Sequence, residues 1–319
     1  MTAPSTVAVF SSRESPAILQ KTITAVASAQ YEGPLQLDVV VNGNMPLAAE
    51  VCSWARRRPT APRDAFSRLR VWHIALGDKA YAFNHYLHSI WQHQADVAYF
   101  VDGYVRPLPD AFQNLRRSLH ENPDALGATA VPSVGASARK LREELVHHGG
   151  LHGNLFALTG GVVADLQRRG FSLPLGLYRV DSTLGAVLCF RLNPAEHEWD
   201  PLAIAVCESA SWDNDTLAWY KLTHIQTQLR RTLRQFRGRL ENAAVRKHLA
   251  VDRKLPEELP ATVEDLVLSW YSTCGAQERQ RTLTNPFHTL ALRKIRNGRN
   301  EQRLLAQPTL LCDEPLFPQ

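Results

Sequence analysis

Val97-Ala98-Tyr99-Phe100-Val101-Asp102-Gly103-Tyr104-Val105-Arg106-Pro107 sets the reading of this chain. An apolar run of strand length stops at a carboxylate, a glycine and a turn bounded by proline. Apolar runs this continuous belong to strands buried on both faces, as in parallel sheets. In open α/β sheets, ligands bind beyond the carboxyl ends of the strands. An aspartate placed there can ligate a metal or touch a sugar or a phosphate. It can equally cap the turn that it opens.

Working outward, Val7-Ala8-Val9-Phe10 is a second buried strand. Ser15-Pro16 places a capping residue before a proline at the first helical position. Leu19, Ile23 and Val26 then recur at helical spacing, and Gly33-Pro34 closes the helix. Residues 35–41 predict the next strand, with Asn42-Gly43-Asn44 as its turn. Residues 50–63 mix helix with a basic, Pro-flanked loop, and 69–76 predict a third strand. Gly77-Asp78-Lys79 opens a helix reaching about Gln94, and Pro109-Asp110 opens another carrying Phe112, Leu115 and Leu119. From 126 to 154 the pattern weakens, and 147–154 reads as a Gly-rich loop. A strand at 155–159, a helix opened by Gly160-Gly161 and a turn at 176–181 follow. Beyond Thr216 the spacing of Leu222, Ile225, Leu229, Leu233, Phe236 and Leu240 is helical. After about Leu255 more helices and a polar, Pro-containing tail are expected.

Composition narrows the class. The 319 residues are 45% hydrophobic and 21% charged, an ordinary globular balance. No apolar run approaches the roughly 18 residues that span a bilayer, and Met1-Thr2-Ala3-Pro4-Ser5 lacks the basic and apolar regions of a secretory leader. A cytoplasmic location is the expectation. The cysteines Cys52, Cys189, Cys207, Cys274 and Cys312 are scattered, which supports neither a disulfide framework nor a zinc site. The net charge of +5 is uneven: residues 221–254 carry ten Lys/Arg against Glu241 and Asp252. That basic helix suits a solvated face, a phosphorylated or lipid-linked acceptor, the anionic inner face of a membrane, or nucleic acid. Sparse aromatic interleaving and the lack of a known binding signature argue against specific nucleic-acid recognition.

The order of these features resembles family 2 glycosyltransferases of the GT-A fold. The similar segments are Val7 to Phe10, Leu37 to Asn44, Lys79-Ala80-Tyr81-Ala82-Phe83-Asn84, Tyr99 to Pro107, and Arg179 to Leu184. The likeness covers roughly residues 5–195. It implies an α/β fold: a GT-A-like nucleotide-binding sheet flanked by helices, with a helical C-terminal extension. Residues 1–215 would form the nucleotide-sugar-binding catalytic domain. Residues 216–319 would form a helical region for acceptor, membrane-surface or oligomer contacts. The implied activity is hexosyltransferase-like transfer of a sugar, with inversion, from a nucleotide-diphosphate donor such as a UDP-sugar. The acceptor hydroxyl would belong to a glycan, a lipid-linked molecule or a small molecule. A non-catalytic binding or assembly protein on the same fold is the alternative.

The chain departs from the family where acids are usual. The D-x-D position reads Asp102-Gly103-Tyr104, the nucleotide turn Asn42-Gly43-Asn44, and the later acidic pair Val180-Asp181. The resemblance places Phe10, Ser11, Asn42, Asn44, Lys79, Asn84, Asp102 and Gly103 around the nucleotide sugar. Asp102 would be the ligand of Mg²⁺ or Mn²⁺, hard cations that prefer carboxylate and phosphate oxygens. Asp181 is the expected base for the acceptor hydroxyl, or else a loop aspartate paired with Arg179. Arg179, Arg230 and Arg234 are candidate acceptor or phosphate contacts, beside Arg237 and Arg239. Asn42 and Asn44 can read a base with their amides or merely shape the turn. His147, His148 and His152 invite a zinc reading, but Gly149-Gly150 keeps them off a common helix face. A loop over the site suits them better, and His197 is a minor candidate for a metal or diphosphate contact. Ser11-Ser12-Arg13-Glu14 lacks the glycines of a nucleotidyltransferase loop.

Overall fold

The strand containing Val97 to Asp102 forms as its sequence predicts, and so do its expected neighbours. A computed structural model describes residues 5–58, 67–92, 95–133, 136–214, 224–295 and 306–316. The strands are β1 (Ser5–Ser11), β2 (Leu35–Asn42), β3 (Arg68–Ile74), β4 (Val97–Asp102), β5 (Val105–Pro107), β6 (Gly127–Pro132), β7 (Leu155–Thr159), β8 (Ile204–Asn214) and β9 (Thr309–Pro315). They make one mixed nine-stranded sheet in the order β5-β8-β6-β7-β4-β1-β2-β3-β9. β1 pairs in parallel with both β2 and β4, and Phe10 stands opposite Asp102. The chain runs β1, β2, β3 in one direction and then returns to place β4 on the other side of β1. The strand order therefore reverses between β1 and β4, which opens a crevice beyond their carboxyl ends.

The helices are α1 (Pro16–Ser28), α2 (Met45–Arg56), α3 (Lys79–His85), α4 (Ala111–Glu121), α5 (Ala136–His148), α6 (Gly160–Arg168), α7 (Val180–Cys189), α8 (His224–Arg246), α9 (Val263–Thr273), α10 (Ala276–Thr284) and α11 (Pro286–Ile295). Alternation along the strands divides the core into two layers. Val7, Val9, Val97, Tyr99 and Val101 pack with Leu19, Ile23, Val51 and Phe112 of α1, α2 and α4. Ala8, Phe10, Ala98 and Phe100 pack with Phe83, Val163, Val187, Leu240 and Val267 of α3, α6, α7, α8 and α9. Burial on both faces explains why β1 and β4 read as unbroken apolar runs.

Other segments departed from their sequence signals. The helix opened by Lys79 continues only as a π-helical turn, Tyr86–Ile90, and stops at Trp91. β6, α5 and β8 lie where the pattern weakened or was silent. β6 is Gly-Ala-Thr-Ala-Val-Pro, too small in side chain to announce a strand, and α5 is a surface helix laced by Arg139–Glu143 and Lys140–Glu144 pairs. His147 and His148 therefore end α5, and only 149–154 remain as loop. Asp181 lies in the first turn of α7, after a turn shorter than expected. The tail is not only polar coil: β9 joins β3 antiparallel, so the sheet draws strands from both sides of residue 215. α8 begins at His224, and the side chains of 224–231, Arg230 among them, lie outside the described residues. Among the described residues, no helix is long and apolar enough to cross a membrane.

Inside β2 the fully buried Asp38 carboxylate is paired with Arg70 (Nε to Oδ1, 2.7 Å) and accepts the Trp72 indole N–H at 3.0 Å. Burial pushes the Asp38 pKa up, and Arg70 opposes that rise. This pair fixes β2 against β3 one strand away from the crevice.

Candidate functional site

The crevice holds a cavity of about 720 Å³, a size suited to a small ligand. The end of β1 supplies Phe10, Ser11, Ser12, Arg13 and Glu14; the end of β2 supplies Asn42; the start of α3 supplies Asp78 and Lys79. Asp102 and Tyr104 come from the end of β4, and His152, Gly153 and Asn154 from the loop before β7. Residues 176–181 and two arginines of α8, Arg234 and Arg237, close it. Of the residues expected from sequence, Phe10, Ser11, Asn42, Lys79, Asp102, Arg179, Asp181 and Arg234 line this one cavity.

Two turns bring β1 and β4 together. Gly103 N–H donates to the Phe10 carbonyl at 2.8 Å, and a Cβ on Gly103 would lie 2.7 Å from Ser11 Cβ. Glycine here permits close approach of the two strand ends, and it is not among the residues lining the cavity. At the end of β1, Glu14 folds back: one oxygen accepts from Ser11 Oγ at 2.6 Å, Ser12 N at 2.8 Å and Arg13 N at 3.0 Å.

Lys79 forms an ion pair with Asp102 Oδ1. Burial works against the Lys79 ammonium, but Asp102, aided by Asp181 and Glu14, outweighs it and holds the lysine pKa above its ordinary value. The Tyr104 hydroxyl lies 3.2 Å from Asp102 Oδ2 and 2.9 Å from Asn154 Oδ1. Its single proton can serve only one of them at a time. Burial, reinforced by Asp102, raises the Tyr104 pKa well above the usual phenol range, so the group stays a neutral hydroxyl.

Asp181 accepts Gly153 N–H at 3.2 Å on Oδ2. His152 stacks on Trp212 with ring centroids 5.5 Å apart, and its Nδ1 accepts Asn154 N–H at 3.3 Å. That bond assigns the ring proton to Nε2. Burial depresses the His152 pKa, against the pull of Asp181 and Asp102. Asp78 does two jobs: Oδ1 caps α3 through Tyr81 N at 3.1 Å, and Oδ2 accepts Gly176 N at 2.7 Å. Glu241 of α8 is fully buried, and its oxygens accept Arg237 Nε at 2.7 Å, Tyr178 N at 2.8 Å and Arg179 N at 3.1 Å. Arg179 lies across α8 at Gly238, where a Cβ would come within 2.7 Å of Nε.

Among the described residues, two buried polar atoms of the lining have no hydrogen-bond partner: Asn42 Oδ1 and Arg179 Nε. One is an acceptor and the other a donor, and an unmade hydrogen bond at a buried group costs about 1–3 kcal/mol.

Other sequence candidates have different employment. Asn44 is the cap of α2, accepting Leu47 N at 3.1 Å while its amide donates to the Ser12 carbonyl at 3.0 Å. Asn84 clamps the backbone of Leu173 in both directions, at 2.9 and 2.8 Å. Neither lines the cavity, nor does the exposed His197. Sequence reasoning passed over Asp78, Tyr104, Asn154 and Glu241; His152, expected in a loop over the site, lines the cavity. Asp78 did carry a signal, as a capping residue just ahead of a helix. Glu241 carried none beyond being an acid on a basic helix.

The fold family suggests a divalent cation, but the donor set does not fit one. Both Asp102 oxygens already face proton donors, the second acid position is a neutral tyrosine, and Glu14 and Asp78 are committed to backbone N–H groups. Among the described residues, no group of three His, Cys, Asp or Glu could hold a metal ion. Asp102, the expected ligand of Mg²⁺ or Mn²⁺, is here the ion-pair partner of Lys79.

No protein-family profile matches the sequence, and no curated protein matches it. The fold, however, is shared with solved glycosyltransferases. The chain is similar to the mannosyltransferase PcManGT from Pyrobaculum calidifontis, solved with GDP-Man and Mn²⁺, at 14% identity over 92% of this chain and 85% of that one, with a TM-score of 0.54. It is also similar to residues 1–349 of TarS from S. aureus, solved with UDP, at 11% identity over 92% and 82% of the two chains, with a TM-score of 0.50. The architecture is thus GT-A-like, with a helical C-terminal extension.

Proposed function

We propose that the protein is an inverting glycosyltransferase that moves a hexosyl group from a nucleotide-diphosphate donor to an acceptor hydroxyl. The observation that carries this reading is convergence: Asn42, Lys79, Asp102, Arg179 and Asp181, scattered along the chain, line one cavity at the strand-order reversal of a GT-A-like sheet. In this reading the unpartnered Asn42 carbonyl accepts an N–H of the nucleobase. Phe10 and Ser11 wall the nucleoside. Arg179 and Arg234, which share the lining, serve the diphosphate. Asp181, held on one oxygen by Gly153, presents the other to the acceptor.

The step balances simply. The acceptor oxygen bonds to the anomeric carbon as the bond from that carbon to the diphosphate oxygen breaks. The electron pair leaves with the diphosphate, and the acceptor proton passes to Asp181. Positioning and charge stabilisation supply the rate. The donor is read as a UDP-sugar first, by the likeness to a structure that holds UDP. The acceptor is a glycan, a lipid-linked molecule or a small molecule. Residues 1–215 carry the chemistry. Residues 216–319 serve acceptor, membrane-surface or oligomer contacts, consistent with work at the cytoplasmic face of a membrane.

Melting temperature against UDP, GDP, TDP, CDP and CMP tests the nucleotide site, because a ligand of the folded state alone raises it. A selective rise is expected. With the donor so identified, Asp181→Asn should lower transfer by about 10²–10⁴-fold, the usual contribution of a general base, at unchanged nucleotide affinity. Binding without any turnover would favour the binding or assembly reading. No binding at all would sink the nucleotide site.

A further inference from the structure

We infer that the Lys79 ammonium, anchored on Asp102, stands where a divalent cation would be expected and neutralises the donor's diphosphate, so that nucleotide binding here needs no metal. This rests on the nucleotide-sugar reading of the cavity.

A hard divalent cation keeps several waters and takes one or two free carboxylates plus phosphate oxygens. Here Asp102 Oδ1 is held by Lys79 and Oδ2 faces the Tyr104 hydroxyl. The position two residues on, where a second carboxylate would sit, is that tyrosine, turned back onto Asp102 and Asn154. A cation entering between these groups would have to displace an ammonium of its own sign.

The same groups suit a phosphate. An ammonium has three protons, and one is spent on Asp102. The Lys79 side chain remains 37% exposed and lines the cavity. Arg13, Arg179, Arg234 and Arg237 share the lining, so cationic side chains outnumber its four carboxylates, Glu14, Asp78, Asp102 and Asp181. Glu14 and Asp78 are turned onto backbone N–H groups, and Arg237 is held by Glu241, so within the lining Lys79 is the cation anchored beside the end of β4. Asp102 then has a positioning role. It fixes the lysine at the mouth of β4, as a second carboxylate would otherwise fix a metal.

The test is calorimetric titration with UDP, UMP, GDP and GMP, each in EDTA and in Mn²⁺, on the wild type, Lys79→Met and Lys79→Arg. The wild type should bind its preferred diphosphate equally well in both media. Lys79→Met should weaken the diphosphate by about 10–100-fold, the worth of a hydrogen bond to a charged group, and should narrow the gap between diphosphate and monophosphate. Lys79→Arg should keep most of the affinity, which separates lost charge from lost folding; melting curves of both variants complete that control. Binding that appears only with Mn²⁺ would overturn the inference and leave the transferase reading intact. Undiminished binding by Lys79→Met in EDTA would overturn it too. Failure of every nucleotide in both media would overturn the site reading and this inference with it.

Discussion

Gly103 shows how finely the two strand ends are fitted. Its N–H bonds to the Phe10 carbonyl at 2.8 Å, and its own carbonyl accepts the buried Thr22 hydroxyl at 3.0 Å. An added Cβ would press on Ser11 Cβ at 2.7 Å and the Phe10 carbonyl oxygen at 3.0 Å. Gly103→Ala should therefore cost about 1–3 kcal/mol, the range for overpacking. It should also move Asp102, and Lys79 with it, and so weaken nucleotide binding. Urea unfolding and a binding titration check both parts, and wild-type stability would show that the strand ends can spread freely. Asn44 and Asn84 teach the complementary lesson. An amide near a predicted site can serve a ligand or the backbone, and only the partners in space tell which.

At the scale of elements, α8 joins the site to the C-terminal region. Its basic stripe suggested a solvated face, an acceptor or phosphate contact, a membrane surface or nucleic acid; Arg234 and Arg237 line the cavity, and Glu241 ties α8 to the loop that precedes Asp181. Burial raises the Glu241 pKa, and Arg237 counters it. Removing the carboxylate would leave two backbone N–H groups without their acceptor and the Arg237 guanidinium with only the Gly176 carbonyl. Glu241→Ala should lose about 3–5 kcal/mol, as broken buried pairs do, while Glu241→Gln, which keeps an acceptor, should lose less. With the loop loosened, kcat should fall in the Gln variant more than nucleotide affinity does. Chemical denaturation and steady-state kinetics are the measurements; unchanged kcat would detach α8 from the chemistry.

At the scale of the whole molecule, one buried and three half-buried imidazoles set an acid limit. Burial lowers the pKa values of His73, His85, His152 and His248. Their unfolded counterparts take up protons near pH 6.5, so below that the unfolded chain binds more protons than the folded one. Stability should fall as pH drops from about 7.5 to 5.5, by up to about 1.4 kcal/mol per pH unit for each histidine. His248, bonded through Nε2 to the Leu255 carbonyl at 3.1 Å, isolates the effect away from the cavity. In His248→Gln the fall in melting temperature over this range should be shallower. Equal slopes for the two proteins would contradict the assignment.

The sequence by itself determined the parallel core. Val7 to Phe10 and Val97 to Val101 are apolar on both faces, and Ser15-Pro16 caps a helix by local chemistry alone, so their patterns needed no knowledge of neighbours. The same local signals placed Asp102 at a strand end, where an open sheet binds ligands. Tertiary structure alone decided the rest. β8 and β9 are irregular or largely exposed strands whose pairing comes from partners far along the chain. Tyr104 and Glu241 acquire their roles only through residues that the fold brings beside them. Above all, Lys79 and Asp102 lie on separate elements, and no spacing rule could show that the carboxylate expected to hold a metal is held by a lysine instead. Local sequence fixes backbone periodicity, but it cannot fix which charges meet across a cavity.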